Sequence, residues 1–204
     1  LVGDLMGDLE KFLNNPNVNV PDLVKIAIAH YQFETIHPFL DGNGRIGRLL
    51  ITLYMVQEKI LDKPLLYLST YFEKRKDLYY DNLNSVRVNN DISHWIKYFL
   101  VGVEQTATLA VQTLTRIIQF KEETENHIRT YYGRRSTNAI LLVHQLLQNP
   151  VLTVDDAARI CGVSYKAAND IVKLLCNDKY LVESTGQSRN RLFSFKPYTD
   201  IFAE

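Results

Sequence analysis

The densest group of reactive residue types in the chain lies between Ile36 and Leu50, in the sequence IHPFLDGNGRIGRLL. This stretch holds one histidine, one carboxylate, two arginines and a Gly-Asn-Gly turn, and it continues into an apolar segment. Gly42 and Gly44 leave the backbone open to a ligand, and a helix start presents unpaired N–H groups and a positive dipole end. We therefore predict an anion site, with a helix that begins at about Arg45.

Charged side chains flank this turn. Arg45 and Arg48 fall in the predicted first helical turn, where a cation opposes the helix dipole by roughly 0.3–1 kcal/mol unless an anion bridges the pair. Asp41 offers a hard oxygen ligand, which suits Mg²⁺ bound jointly by a carboxylate and polyphosphate oxygens. Histidine can accept a proton at neutral pH, which makes His37 a candidate base. Together these residues predict a site for a nucleotide, a metal ion and a proton acceptor.

The string from His37 to Arg48 resembles the Fic motif, H-x-F-x-[D/E]-G-N-G-R-x-x-R, and matches it at every specified position. The resemblance implies a helical fold that transfers AMP from ATP to a hydroxyl side chain of a target protein. It implies that His37 deprotonates the target Ser, Thr or Tyr, that Phe39 is the buried anchor of the loop, and that Asp41 holds Mg²⁺. It also implies an anion hole and two cations on the outer phosphates, formed by Gly42, Asn43, Gly44, Arg45 and Arg48.

Two further interpretations of residues around the motif stay open. The spacing of His30, Glu34 and His37 is compatible with a metal triad on one helix face, but the glycine turn and the arginines would then have no role. More simply, His30 and Glu34 are structural groups or support the site. Gly47 either allows close helix packing or lines the phosphate site with its backbone, and we include it among the candidate phosphate-binding residues.

The resemblance also gives expectations beyond the motif. Aromatic residues at the place of Tyr79 and Tyr80 lie near the adenine in relatives, so both are candidate base-stacking residues, with ordinary helix packing as the alternative. We do not expect Arg87 to reach the nucleotide. Fic proteins position their target with a β-hairpin flap, and many carry an inhibitory helix of the pattern [S/T]-x-x-x-E-[G/N]. Only Ser69–Glu73 approaches that pattern; its place in the chain does not match, so we expect neither regulator in this sequence, which begins within a helix like a fragment.

The periodic spacing of apolar residues predicts the helices that hold the site. One helix covers residues 1–13, and a second begins near Asp22 and ends at His37, since Pro38 cannot continue it. The segment 49–56 is apolar nearly all round, as in a central helix buried on several sides. Another core helix covers 91–99, and 101–132 form one long helix or two joined helices.

From Gly133 onward the chain resembles a winged helix-turn-helix. The pattern predicts helices over 138–147, 154–161 and 164–176, with Thr153 as a cap and Gly162 as the turn, and strands over 181–183 and 192–195 around a wing. We expect a mainly α protein of two domains. A Fic-type helical core would cover residues 1–133, and a small winged-helix α+β domain residues 134–204.

A DNA-reading role for this module would place its third helix in the major groove and its wing on phosphates. The candidate residues are Lys166, Asn169, Lys173, Arg189 and Arg191. Asp170 on the same helix, and only nine basic against seven acidic residues from Gly133 onward, weaken this hypothesis. The alternative is that the module packs against the catalytic domain or binds a protein partner.

The composition limits the partners and the cellular compartment that we expect for this chain. With 23 basic and 23 acidic residues, the chain has no general attraction to nucleic acid or membranes. Two cysteines in apolar helical contexts fit reduced thiols, and we find no signal peptide or membrane-spanning run. We expect a cytoplasmic protein adenylyltransferase that uses ATP and Mg²⁺, acts on a target with an exposed Ser, Thr or Tyr hydroxyl, does not bind membranes and is a candidate homodimer. A DNA-binding regulator that senses nucleotide, or an enzyme that removes AMP, are the alternatives.

Overall fold

A computed structural model describes residues 1–187 and 191–202. The chain forms two compact units, Leu1–Ala110 and Val111–Glu204. The helices of the N-terminal half are α1 (Val2–Asn14), α2 (Asp22–Ile36), α3 (Asn43–Gln57), α4 (Leu68–Lys74), α5 (Lys76–Asn89) and α6 (Ile92–Tyr131). The residues 92–131 are one continuous helix, in agreement with the simpler of the two predictions for 101–132. The prediction of a separate core helix over 91–99 is wrong, because no break in the helix follows Phe99.

The end of α2 places the candidate base. His37 follows the last helical residue in the left-handed conformation (φ 51°, ψ 57°), and its N–H donates to the Phe33 carbonyl. Pro38 then leaves the helix, because it has no N–H to continue the ladder. The prediction that α2 delivers His37 at its end is confirmed.

The start of α3 lies two residues earlier than predicted. Gly42 is its N-cap in the left-handed region (φ 85°), a conformation that glycine adopts without steric cost, and the helix begins at Asn43. Arg45 is therefore the third helical residue, and Arg48 lies in the second turn. The expectation that both arginines lie in the first turn is wrong for Arg48.

The outer face of α3 is more exposed than its apolar sequence predicts. Ile51, Tyr54 and Met55 are buried, but Leu49 and Leu53 are exposed. The helix is thus buried along one side, and the expectation of burial on several sides is wrong. Because the buried side faces α2, the two helices that carry the motif are fixed to each other.

The core of the first unit contains three fully buried aromatic rings, Phe72 from α4 and Trp95 and Phe99 from α6. The indole N–H of Trp95 donates to the Ala27 carbonyl at 2.8 Å, which joins α6 to the middle of α2. None of the helices in the described part of the chain combines the length and apolarity needed to cross a bilayer.

The second unit contains the end of α6 and a series of short elements. These are a 3-10 turn (Gly133–Arg135), α7 (Ser136–Gln148), β1 (Val151–Thr153), α8 (Val154–Cys161), α9 (Tyr165–Asn177), β2 (Val182–Glu183), β3 (Leu192–Ser194) and α10 (Lys196–Asp200). Thr153 and Asp156 form a reciprocal capping box at the start of α8, and Gly162 ends α8 in the left-handed region. The predicted cap, the bounds of α8 and the turn are confirmed.

The three strands form an antiparallel sheet in the order β1-β3-β2. Leu152 pairs with Phe193, and Val182 pairs with Ser194. The sequence did not predict β1, because three residues directly before a helix cap carry too short a pattern. The elements occur in the predicted order, but the winged-helix assignment and a domain boundary after residue 133 stay predictions.

Candidate functional site

A cleft of about 480 Å³ in the first unit gathers the motif residues. It is bordered by the loop between α2 and α3, the start of α3, the end of α4 and the start of α5. Its lining residues are His37, Leu40, Asp41, Gly42, Asn43, Gly44, Arg45, Arg48, Phe72, Glu73, Lys76, Tyr79 and Tyr80. Among the candidate catalytic, phosphate and metal residues, Gly47 alone is outside this lining.

The loop between His37 and α3 is closed by the side chain of Asn43. Its Oδ1 accepts from the Phe39 N–H at 2.8 Å, and its Nδ2 donates to the Phe39 carbonyl at 2.6 Å. Asn43 is buried, whereas the Phe39 side chain is 46% exposed and its ring centroid lies 6.4 Å from that of Phe33. The expectation that Phe39 is the buried anchor is wrong, since Asn43 anchors the loop by satisfying its backbone.

Gly44 leaves space for an arginine as well as for a ligand, whereas a side chain at Gly42 would be in ordinary contact with its neighbour. A Cβ added at Gly44 would lie 3.2 Å from Nη1 of Arg48, and one added at Gly42 would lie 3.5 Å from Nη2 of Arg45. The first hydrogen bond of α3 runs from the Ile46 N–H to the Gly42 carbonyl at 3.0 Å, so the N–H groups before it have no helical acceptor. Free N–H groups and two guanidinium groups therefore converge on the cleft.

Asp41 lies at the open side of the cleft. Its Oδ2 is 3.2 Å from Nη2 of Arg45, and both side chains are largely exposed, so the pair is weak and easily replaced. Within the described residues no cluster of three metal-ligating side chains occurs. A Mg²⁺ that shares phosphate oxygens needs one hard carboxylate from the protein, and Asp41 fits that donor set.

Arg48 is held by α4. Its Nε donates to Oγ of Ser69 at 3.2 Å, and its Nη2 lies 3.6 Å from Oε1 of Glu73. These contacts of Ser69 and Glu73 with Arg48 were not predicted from the sequence, and the expectation that Ser69–Glu73 is not an inhibitory helix stays a prediction. The Arg48 side chain is 18% exposed and that of Glu73 is 68% exposed. The ion pair therefore opens most easily by movement of Glu73.

His30 and Tyr79 are part of the core. Nδ1 of His30 lies 3.0 Å from the Gly47 carbonyl, so this nitrogen donates, and Nε2 accepts from the Tyr79 hydroxyl at 2.9 Å. Burial lowers the pKa of His30 to about 4, so the ring is neutral at pH 7. With both nitrogens occupied, His30 is not available for a metal triad with Glu34 and His37.

The two candidate stacking tyrosines differ in exposure. Tyr79 is 4% exposed, and burial raises its pKa, which supports the packing alternative for this residue. Tyr80 is 55% exposed and packs edge-on against Tyr79 with ring centroids 5.3 Å apart. Tyr80 is therefore the one of the pair with a free ring face.

Gly47 lies at the contact between α2 and α3. A Cβ there would overlap Oε1 of Glu34 and would lie 3.1 Å from Cδ1 of Phe33 and 3.2 Å from Cε1 of His30. Its carbonyl is the acceptor for His30. This placement fits the helix-packing alternative rather than a phosphate contact.

Glu34 is a polar group that the packing leaves unsatisfied. Its Oε1 is buried and has no hydrogen-bond partner among the described residues. Burial raises the pKa of this carboxyl, while electrostatic interactions with Arg48 and His37 lower it. The carboxyl group therefore lies within electrostatic range of two residues of the motif.

A second cleft of about 530 Å³ adjoins the first and shares His37 and Tyr80 with it. It lies between α2 and α5 and is lined by Tyr31, Glu34, Thr35, His37, Tyr80, Leu83, Asn84 and Arg87. Arg87, which we did not expect at the nucleotide, lines this cleft. Glu73 and Lys76 of the first cleft were not predicted from the sequence; helical spacing from Tyr80 was the signal for Lys76, Asn84 and Arg87.

The candidate DNA-binding residues of the second unit are only partly brought together. Asn169, Lys173 and Arg191 line a groove of about 420 Å³ beside α9, whose lining does not include Lys166. Nη2 of Arg191 donates to Oδ1 of Asn169 at 2.9 Å, so the amide oxygen of Asn169 is occupied. Arg189 lies outside the described residues.

Comparison with known proteins gives a family match for the N-terminal region. Residues 2–55 match the Fic/DOC family. The chain is 35% identical over 83 residues to Protein adenylyltransferase fic-1 of Caenorhabditis briggsae, a match that covers 40% of this chain and 16% of that protein. It is 26% identical over 169 residues to Probable protein adenylyltransferase aq_aa38 of Aquifex aeolicus (strain VF5), which covers 78% of this chain and 44% of that protein.

Among solved structures, the chain is similar to a Fic family protein from Desulfovibrio desulfuricans G20. The TM-score is 0.53 at 25% identity, over 95% of this chain and 55% of that chain. The matches span less than half the length of both adenylyltransferases described above. The chain thus matches the Fic/DOC family over residues 2–55 and is similar over part of its length to protein adenylyltransferases.

Proposed function

We propose that this chain carries the catalytic site of a protein adenylyltransferase, which transfers AMP from ATP to a Ser, Thr or Tyr hydroxyl of a target protein. The observation that carries the proposal is the first cleft, where His37, the Gly-Asn-Gly turn and both arginines of the motif line one space. The similarity to protein adenylyltransferases supports AMP transfer as the reaction of this site.

The two adjoining clefts suggest how the nucleotide lies. The first is lined by cations and helix N–H groups, which suits phosphates, and the second by two tyrosines and an amide, which suits a nucleoside. Since His37 and Tyr80 border both, the α-phosphate would lie near His37. The base would extend along the free face of Tyr80.

In the proposed reaction the target hydroxyl oxygen attacks the α-phosphorus, and the bond from the α-phosphorus to the bridging oxygen of pyrophosphate breaks. His37 takes the hydroxyl proton; no side-chain hydrogen bond occupies its ring among the described residues, so a nitrogen is free to accept it. The free N–H groups of α3 and the guanidinium groups stabilise charge that develops on the phosphates. Asp41 would hold Mg²⁺, which neutralises phosphate charge when it is bound.

Labelled ATP tests this proposal directly. The protein is incubated with a lysate of candidate targets and ATP labelled at the α position, and separately with ATP labelled at the γ position. We expect protein-bound label from the α position only. Transfer of the γ label alone would mean a kinase and would overturn the proposal.

Removal of AMP from a modified protein uses the same residues and is the reverse direction of this chemistry. An AMP-modified target distinguishes the two directions. Release of AMP from it, without label transfer from ATP, would replace adenylyl transfer by the reverse activity.

The second unit gives a weaker alternative, a regulator that binds DNA. The groove that gathers Asn169, Lys173 and Arg191 favours it, whereas Asp170, whose Oδ2 lies 3.9 Å from Nη2 of Arg135, opposes it. Duplex binding should weaken steeply with salt if phosphates are contacted. Absence of binding at low salt would remove this alternative.

Glu73 gives a prediction about nucleotide affinity. Replacing Glu73 by glutamine should tighten ATP binding roughly 1.4- to fivefold, because a partly exposed ion pair of about 0.2–1 kcal/mol no longer competes with phosphate for Arg48. The measurement is the Kd of ATP by calorimetry. Glu104→Gln, an exposed carboxylate on α6, is the matched control and should leave the Kd unchanged. Equal or weaker ATP binding by Glu73→Gln would contradict the prediction.

A further inference from the structure

One face of α5 runs along both clefts. Lys76, Tyr80, Asn84 and Arg87 follow one another at spacings of three or four residues, so they share a face of the helix. Lys76 and Tyr80 line the first cleft, and Tyr80, Asn84 and Arg87 line the second. At 1.5 Å per residue this row is about 16 Å long. Lys76 lies at the end of the row that is farthest from the second cleft.

The charges of the first cleft do not balance. Three cations line it, Arg45, Arg48 and Lys76, with two carboxylates. Arg45 lies 3.2 Å from Asp41, and Arg48 lies 3.6 Å from Glu73. Lys76 has no ion pair within the described residues. It is therefore the one cation of this lining that no carboxylate offsets.

Local structure does not account for a lysine at this position. Lys76 is the first residue of α5, where a positive side chain opposes the helix dipole, and it is exposed, so it contributes no core packing. A bound anion would remove the repulsion. Since the neighbouring lining is already a phosphate cradle, the anion with the right charge and place is a further phosphate of the same ligand.

We propose that Lys76 binds the terminal phosphate of the nucleotide and makes the site selective for nucleoside triphosphates over diphosphates. The inference rests on the proposed function, which places the nucleoside in the second cleft and the α-phosphate near His37. From there the phosphates extend away from Arg87, along the first cleft. Lys76 is four residues, about 6 Å along the helix axis, beyond Tyr80 in that direction.

The test compares nucleotides that differ by one phosphate. The Kd values of ATP, ADP and AMP are measured by calorimetry for the full chain and for Lys76→Gln, which keeps much of the side-chain length and removes the charge. We expect ATP binding to weaken about tenfold, as for loss of one charge-assisted contact, and ADP and AMP binding to change less than twofold. Lys76→Arg should restore most of the ATP affinity.

Lys74→Gln is the matched control, because Lys74 ends α4 two residues earlier and does not line the cleft. It should leave the ratio of the ATP and ADP Kd values as it is in the unaltered chain. If Lys76→Gln leaves that ratio unchanged, the inference is overturned. Label transfer from α-labelled ATP is followed in the same samples; an unaltered chain that binds ATP but transfers no label would refute the proposed function alone, since the ratio is read from binding.

Discussion

Replacing His37 by asparagine should lower AMP transfer by about 10²–10⁴-fold, the usual loss when a positioned general base is removed. Asparagine is the appropriate replacement because His37 adopts a left-handed backbone conformation (φ 51°), which asparagine tolerates better than alanine does. ATP affinity should stay nearly unchanged, because the phosphates are held by α3 and its arginines. The measurements are kcat for transfer from α-labelled ATP and the Kd of ATP.

His94→Asn is the control for this experiment. His94 is an exposed residue of α6 outside both clefts, so its replacement should leave the transfer rate at the level of the unaltered chain. A His37→Asn protein that keeps more than a tenth of the rate would show that another group accepts the proton. Glu34, the carboxyl group one turn earlier on α2, would then be the first residue to replace.

The parts of the site that the sequence predicted are local in the chain. Pro38 cannot continue a helix because it has no backbone N–H, and Gly42 caps the start of α3 because it adopts the left-handed conformation. Such effects act between neighbours, so His37 and the anion turn could be placed without knowledge of the fold. The wrong expectation for Phe39 came from the resemblance to the family motif; a short polar side chain, Asn43, satisfies the loop backbone instead.

The parts that the sequence missed depend on tertiary packing. Arg48 meets Ser69 and Glu73 across more than twenty residues, and no local pattern marks that contact. The row from Lys76 to Arg87 was visible as helical spacing, but which face of α5 turns to the clefts depends on how the helix packs, with Tyr79 buried beside the row. When a helix carries polar residues on both sides, its sequence does not show which side faces the cleft.

The other large effect expected is a loss of stability in mild acid that comes from His30. Burial lowers its pKa from 6.5 to about 4. Between these values the unfolded chain binds a proton that the folded chain does not, so the free energy of unfolding is largest above pH 6.5 and falls as the pH drops toward 4. At 1.36 kcal/mol per pKa unit, this residue accounts for roughly 3 kcal/mol over the whole interval.

The measurement is urea unfolding at several pH values from 7 to 4.5, for the unaltered chain and for His30→Phe. Phenylalanine keeps a ring among Phe72 and Trp95 but cannot titrate, so the variant should be less stable at pH 7 because the Gly47 carbonyl and the Tyr79 hydroxyl lose their partner. The difference between the two proteins should shrink by roughly 2–3 kcal/mol at pH 4.5.

Other groups titrate over the same range, but they do so in both proteins. Hydrogen bonds and ion pairs lower the pKa of Glu125 and Asp156, so these carboxylates also lose stabilising interactions in acid. Their contribution cancels in the difference between the two unfolding curves. A difference that stays constant from pH 7 to 4.5 would mean that His30 is protonated in the folded chain as easily as in the unfolded one, which its burial between α2, α3 and α5 argues against.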